Sequence, residues 1–126
     1  SLDNRTSGFR ICGADTPAVR IECRIGGVDL NPYLAFSALV AATIAGLDAG
    51  NEPPVACEGD AYTAGDAPEI PRNLRDATDA LRNSSMLRDA LGSEVVDHYV
   101  RCAEVEQEDF DKAVTDYEIR RGFERC

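Results

Sequence analysis

The sequence is poor in several things, and each shortage narrows what the chain can do. It has a single histidine, and its five cysteines (Cys12, Cys23, Cys57, Cys102 and Cys126) include no C-x-x-C pair. Nothing in that set resembles a zinc site or a disulfide framework, so reduced thiols in a cytoplasmic protein are the expectation. Basic charge is also short, with 13 Lys and Arg against 23 Asp and Glu, a net charge of -10 and a pI near 4.4. That balance argues against nucleic acid or an anionic membrane as partner, since either would want a basic patch. The chain opens on polar residues without an early apolar run, so no signal peptide is expected and the sequons at Asn4 and Asn83 carry no meaning. It also opens without an initiator Met, which suggests a piece of a longer polypeptide. No internal repeat or low-complexity tract is present.

What remains is an ordinary globular composition. At 126 residues and 44% hydrophobic, the chain suits one domain with a modest core. Its charge is unevenly placed: residues 1–27 balance at +1, and the remainder holds -11. Two of the four arginines of that first part, Arg20 and Arg24, lie in Ala18-Val19-Arg20-Ile21-Glu22-Cys23-Arg24-Ile25. As a strand, this stretch turns Val19, Ile21, Cys23 and Ile25 to one face and Arg20, Glu22 and Arg24 to the other, with same-face neighbours about 6.5–7 Å apart. Two guanidinium groups flanking a carboxylate suit phosphate or carboxylate oxygens, and Glu22 suits a divalent cation. The alternative is a solvated strand face with an internal ion-pair ladder.

In order, the chain reads as a strand region (1–30), a core helix (31–48), a loop (49–70) and a helical region (71–126) within a single domain. Gly8 to Gly13 forms a first short strand, Ala14 to Pro17 a turn, and pairing with the second strand would bring Arg10 towards the Arg20/Arg24 face. Asn31-Pro32 starts the core helix, with Asn as N-cap and Pro at the first helical position. Tyr33 to Leu47 carries no charge and predicts a helix buried on all sides, yet too short to cross a bilayer. Gly50 to Glu69 is a Pro-, Gly- and Asp-rich loop that is functional or packed on something else. Pro71 opens a helix through Leu81, Ser84 or Ser85 caps a short one closed by Gly92, and Ser93 begins a long amphipathic one with Val96, Tyr99, Val100, Phe110, Val114 and Tyr117 on its core face. His98 is expected in a surface or half-buried structural role, Cys12 and Cys23 as small strand residues, and Leu2 and Phe9 as exposed apolar groups. The fold class is thus α+β: mostly helical, with a short antiparallel strand pair.

Three stretches make this pattern specific. Asn4-Arg5-Thr6-Ser7-Gly8-Phe9-Arg10-Ile11, then Val19-Arg20-Ile21-Glu22-Cys23-Arg24, then Asp29-Leu30-Asn31-Pro32-Tyr33-Leu34 resemble the N-R-S/T…R-I, R-I-E-x-R and D-x-N-P-Y-L patterns of the glutamine synthetases, in order and at about the family's spacing. Leu39 to Leu47 resembles the family's long buried helix, and Glu94 to Arg125 the C-terminal helix of the branch with gamma-glutamyl-polyamine ligases. The whole chain would then be about the last quarter of such an enzyme, the C-terminal segment of its catalytic domain, with 1–30 as active-site strands.

The resemblance implies ATP-dependent amide formation from glutamate and ammonia or another amine, through a gamma-glutamyl phosphate, as in glutamine biosynthesis and nitrogen metabolism. It implies Mg²⁺ or Mn²⁺ with Glu22 as a metal ligand, Arg10 and Arg20 at the ATP phosphates, and Arg5 and Arg24 as catalytic residues around the glutamate side chain and the transferred phosphoryl group. It also implies a parent assembled as a homo-oligomer of stacked rings. Asn31 and Pro32 match structural positions. Two departures, Cys12 for a proline and Ile25-Gly26-Gly27-Val28-Asp29 for F-P-D, are compatible with the non-ammonia branch and leave the acceptor amine open. Tyr62 lies roughly where some bacterial members carry an adenylylated tyrosine, but its surroundings do not match, and no role is carried over. One glutamate cannot hold Mg²⁺ against water, so this chain alone is expected to bind no cofactor tightly and to be inactive. The rival from another class is a non-catalytic helical interaction module.

Overall fold

The computed structural model describes residues 4–65 and 68–125. Leu2 and Cys126 lie outside the described residues. Among the described residues the architecture is α+β, with two strands, β1 (Phe9–Cys12) and β2 (Arg20–Cys23), followed by five helices: α1 (Pro32–Asp48), α2 (Leu74–Arg82), α3 (Ser85–Leu91), α4 (Ser93–Lys112) and α5 (Asp116–Phe123). The chain divides into two compact units, 1–70 and 71–126.

In the first unit β1 and β2 form an antiparallel pair with Arg10 opposite Glu22 and Cys12 opposite Arg20. The connection is held by Thr16, whose amide and hydroxyl both donate to the Gly13 carbonyl (3.2 and 2.7 Å). Gly13 has φ +65°, and a Cβ there would lie 2.9 Å from the Ala18 carbonyl oxygen, so the turn requires glycine. Asn31 caps α1 as its sequence predicts, accepting from the amides of Tyr33 (3.0 Å) and Leu34 (3.4 Å) ahead of Pro32.

The burial of α1 differs from expectation. The helix forms, and its two hydroxyls turn back onto its own backbone, Ser37 donating to Tyr33 O and Thr43 to Leu39 O, both at 2.8 Å. Yet none of its residues is buried, and Tyr33, Phe36, Val40, Ile44 and Leu47 are exposed. The reason is supply: its own unit offers only a two-stranded sheet and a loop, too little apolar surface to enclose a helix that is apolar all round. The strand's apolar face is bare likewise, with Ile21 74% exposed.

In the second unit α2 and α3 pack on α4, over a small core of Val96, Val100 and the half-polar Thr78, whose hydroxyl donates to Leu74 O at 2.7 Å. Helix α2 starts at Leu74 rather than Pro71, because Asn73 accepts from the Asp76 amide at 2.9 Å and sets the first turn. Ser84 caps α3 and Gly92 (φ +88°) separates it from α4. A groove of about 440 Å³ along α2 and α4 is laced with ion pairs: Arg82 and Arg101 share Glu104, Arg101 reaches Glu108, and Arg75 meets Asp111. These pairs lower the Glu104 and Asp111 carboxyls and raise Arg101. The groove's charges satisfy one another, which makes it a helix seam.

The long C-terminal helix is in fact two. Apolar spacing runs past residue 112, but α4 ends at Lys112 and Thr115 opens α5 with a capping box, its hydroxyl accepting from Glu118 N while the Glu118 carboxylate accepts from Thr115 N. Consequently Phe110, Val114 and Tyr117 are exposed instead of facing a core. Tyr99 is also exposed, its ring edge-on to His98 at 5.3 Å, and His98 itself is exposed.

Candidate active site

The register of the hairpin decides the site. Arg10 on β1 and Glu22 on β2 face each other and meet in a bidentate pair, Nε to Oε1 at 3.1 Å and Nη2 to Oε2 at 3.0 Å. Two residues along the chain, on the same face, Arg24 reaches Oε1 at 3.0 Å. The buried Cys12 lies beside them, its Sγ 3.8 Å from Oε2. Glu22 therefore carries two guanidinium groups on one carboxylate, and first Arg10 and then Arg24 lowers its carboxyl from 4.5 to about 2. The trio has a net charge of +1. Arg10 is mostly covered, at 14% side-chain exposure, whereas Arg24 at 38% still presents its guanidinium outward.

Two of the sequence candidates sit apart from this cluster. Arg20 lies opposite Cys12 and is exposed; its Nη1 donates to Ala18 O at 3.3 Å. Arg5 is exposed in the turn before β1. The structure thus brings together Arg10, Glu22 and Arg24, with Arg20 and Arg5 on the same hairpin and its entry.

Chemically, a cluster of fixed guanidinium groups fits anionic oxygens, phosphate and carboxylate above all. It does not by itself fit a divalent cation. Both Glu22 oxygens already accept from arginine, and among the described residues no group of three or more His, Cys, Asp or Glu side chains converges. Among the described residues Cys12, Cys23 and Cys102 are free thiols. No helix of the described residues is long and apolar enough to cross a membrane.

Three contributors went unread in the sequence. Cys12 belongs to the charged face, a placement its two-residue spacing from Arg10 does signal. Asn4 and Thr6 tie the turn that carries Arg5 to the 57–61 segment: Asn4 Nδ2 donates to Gly59 O at 2.8 Å, and Thr6 Oγ1 accepts from Ala61 N at 2.8 Å. No local pattern announces a contact 55 residues away.

The catalytic-domain model of glutamine synthetases matches residues 1–122. The chain is 47% identical over 123 residues to the gamma-glutamylethanolamide synthetase GlnA4 of Streptomyces coelicolor, covering 98% of this chain and 26% of that protein. It is 34% identical over 127 residues to type-1 glutamine synthetase 2 of Dictyostelium discoideum (98% of this chain, 24% of that protein). It is 33% identical over 128 residues to the glutamine synthetase of Thermotoga maritima (96% and 29%). The chain spans about a quarter of the length of these curated relatives.

Proposed function

The chain belongs to the glutamine synthetase catalytic-domain family, and from that premise we propose that it is the C-terminal, arginine-bearing part of an ATP-dependent glutamate–amine ligase. The observation that carries the reading is the hairpin register, which sets Arg10 and Arg24 on the single carboxylate of Glu22 and leaves a net positive strand face. In the proposed reaction the glutamate side-chain carboxylate attacks the terminal phosphorus of ATP, and ADP leaves. The amine nitrogen then attacks the acyl carbon of the resulting gamma-glutamyl phosphate, phosphate leaves, and the nitrogen loses a proton to give the amide.

Charge builds on oxygen in both steps, and guanidinium groups fixed in advance neutralise it without reorganising. Arg24 and Arg5, exposed, take the glutamate side chain and the phosphoryl group in transfer. Arg20 and Arg10 take the phosphates of ATP, and for Arg10 this requires sharing its donors with Glu22. Glu22 is proposed as one ligand of Mg²⁺ or Mn²⁺, which requires sharing its two oxygens with Arg10 and Arg24, with the other ligands supplied from outside this chain. Its strongly lowered carboxyl keeps it ionised for that role. The higher identity to a gamma-glutamylethanolamide synthetase than to the two glutamine synthetases favours a primary amine over ammonia as acceptor. A cytoplasmic protein assembled into stacked homo-oligomeric rings completes the proposal.

The test is ADP release by the complete polypeptide with glutamate and a panel of ammonia, ethanolamine and polyamines. Arg24→Ala and Glu22→Gln should each lower turnover by at least about a hundredfold while leaving the fold intact. Titration of this chain alone with Mg-ATP should give no measurable heat. Full turnover in both variants would sink the ligase reading and leave the strand as a structural face of an interaction module.

A further inference from the structure

Arg5 is the one site candidate whose side chain has no hydrogen bond or ion pair to another described residue, and it is exposed. Its direction therefore depends on its backbone. That backbone is pinned on both sides. Asn4 Oδ1 accepts from the Thr6 amide (2.9 Å) and the Thr6 hydroxyl (2.7 Å), closing a turn around Arg5. Asn4 Nδ2 donates to Gly59 O (2.8 Å) and to Cys57 O (3.5 Å), and Thr6 Oγ1 accepts from the Ala61 amide (2.8 Å). The Asn4 amide uses both donors and both acceptor positions, and the Thr6 hydroxyl both donates and accepts. Such a saturated network is stiff, and it reaches across 53 to 55 residues to the backbone of 57–61.

We propose that Asn4 and Thr6 are positioning residues for Arg5, with the 57–61 backbone as the abutment they brace against. The 57–61 part of the loop thus supplies two carbonyls and one amide at fixed places. The proposal rests on the ligase reading, because the latch serves catalysis only if Arg5 meets the reacting groups. An arginine side chain has many rotamers, and one anchored at its backbone alone is sensitive to small displacements of that backbone. Misplacing a catalytic group by about 1 Å can lower a rate roughly a hundredfold.

The experiment compares Thr6→Val, Thr6→Ser, Asn4→Asp and Arg5→Ala in the complete polypeptide. Readouts are kcat and KM for ADP release, amide hydrogen exchange at Ala61, and Tm. Thr6→Val keeps the shape and removes the hydroxyl; Asn4→Asp keeps the acceptor for Thr6 and removes the donor to Gly59. Both should lower kcat by about tenfold or more with KM for ATP within about twofold, and Thr6→Val should speed exchange at Ala61. Thr6→Ser should restore kcat. Faster exchange with unchanged kcat overturns the proposal. So does a loss of activity that tracks a fall in Tm and is not rescued by serine, since the network is then a structural staple. If the unsubstituted protein forms no amide, the ligase reading fails and the proposal with it. If that protein is active and Arg5→Ala is inactive while Thr6→Val and Asn4→Asp are neutral, only the positioning role fails.

Discussion

The ionisation of Glu22 offers the sharpest check on the candidate site. Replacing Arg10 by Met removes the two bonds at 3.1 and 3.0 Å that are the largest cause of the lowered carboxyl, while Arg24 keeps its bond at 3.0 Å. In the unsubstituted chain Glu22 should titrate near 2 rather than 4.5. At pH 3 a carboxyl with a midpoint near 2 is roughly nine-tenths ionised, whereas one near 4.5 is about one-thirtieth ionised. Carbon-detected NMR of the side-chain carboxyl across about pH 1.5–6 reads that difference directly. In Arg10→Met the midpoint should rise but remain below 4.5, held down by Arg24. The linkage has a definite sign: a depressed carboxyl stabilises the hairpin fully above the unfolded midpoint and loses that contribution as pH falls from about 4.5 through about 2. The cross-strand contact of Arg10 with Glu22 should therefore persist at about pH 4 and weaken towards about pH 2, with the backbone pairing of the strands retained. A midpoint near 4.5 in the unsubstituted chain, or one unmoved by Arg10→Met, would refute the paired geometry.

Three further outcomes follow from packing and capping. Val96 is 1% exposed in the α4 seam, so Val96→Ala should cost about 1.5–2.5 kcal/mol of unfolding free energy in urea titration, from two lost carbons and the cavity they leave. Ser7 Oγ is buried without a hydrogen-bond partner among the described residues, so Ser7→Ala should be neutral or stabilising by up to about 1 kcal/mol in the same assay. Thr115→Ala removes the cap that starts α5 and should destabilise that helix by about 1 kcal/mol, seen as reduced helical chemical shifts over residues 116–123 with α4 unchanged.

Local chemistry was legible along the chain. The alternation in 18–25 foretold which residues of β2 share a face, the Asn31-Pro32 pair marked the start of α1, and Ser84 and Gly92 bounded α3. The break between α4 and α5 was also written there, as the T-x-x-E of Thr115 and Glu118, but the hydrophobic spacing ran straight through it. A backbone cap and a side-chain period are separate signals, and at residues 113–115 the cap prevails because no core rewards continuing the helix.

What the sequence determined by itself is therefore most of the elements, the charged strand face and the family, all of which depend on residues close together or on motifs read in order. What only the tertiary structure decided is which groups meet. The pairing of Arg10 with Glu22 depends on strand register, set by a turn whose geometry hinges on Gly13 and Thr16. The bracing of Arg5 depends on Asn4 and Thr6 finding carbonyls and an amide 53 to 55 residues away. The exposure of α1 depends on how much apolar surface its own unit can bring to it. Each is a question of distance in space, and alternation, caps and composition carry information only about distance along the chain.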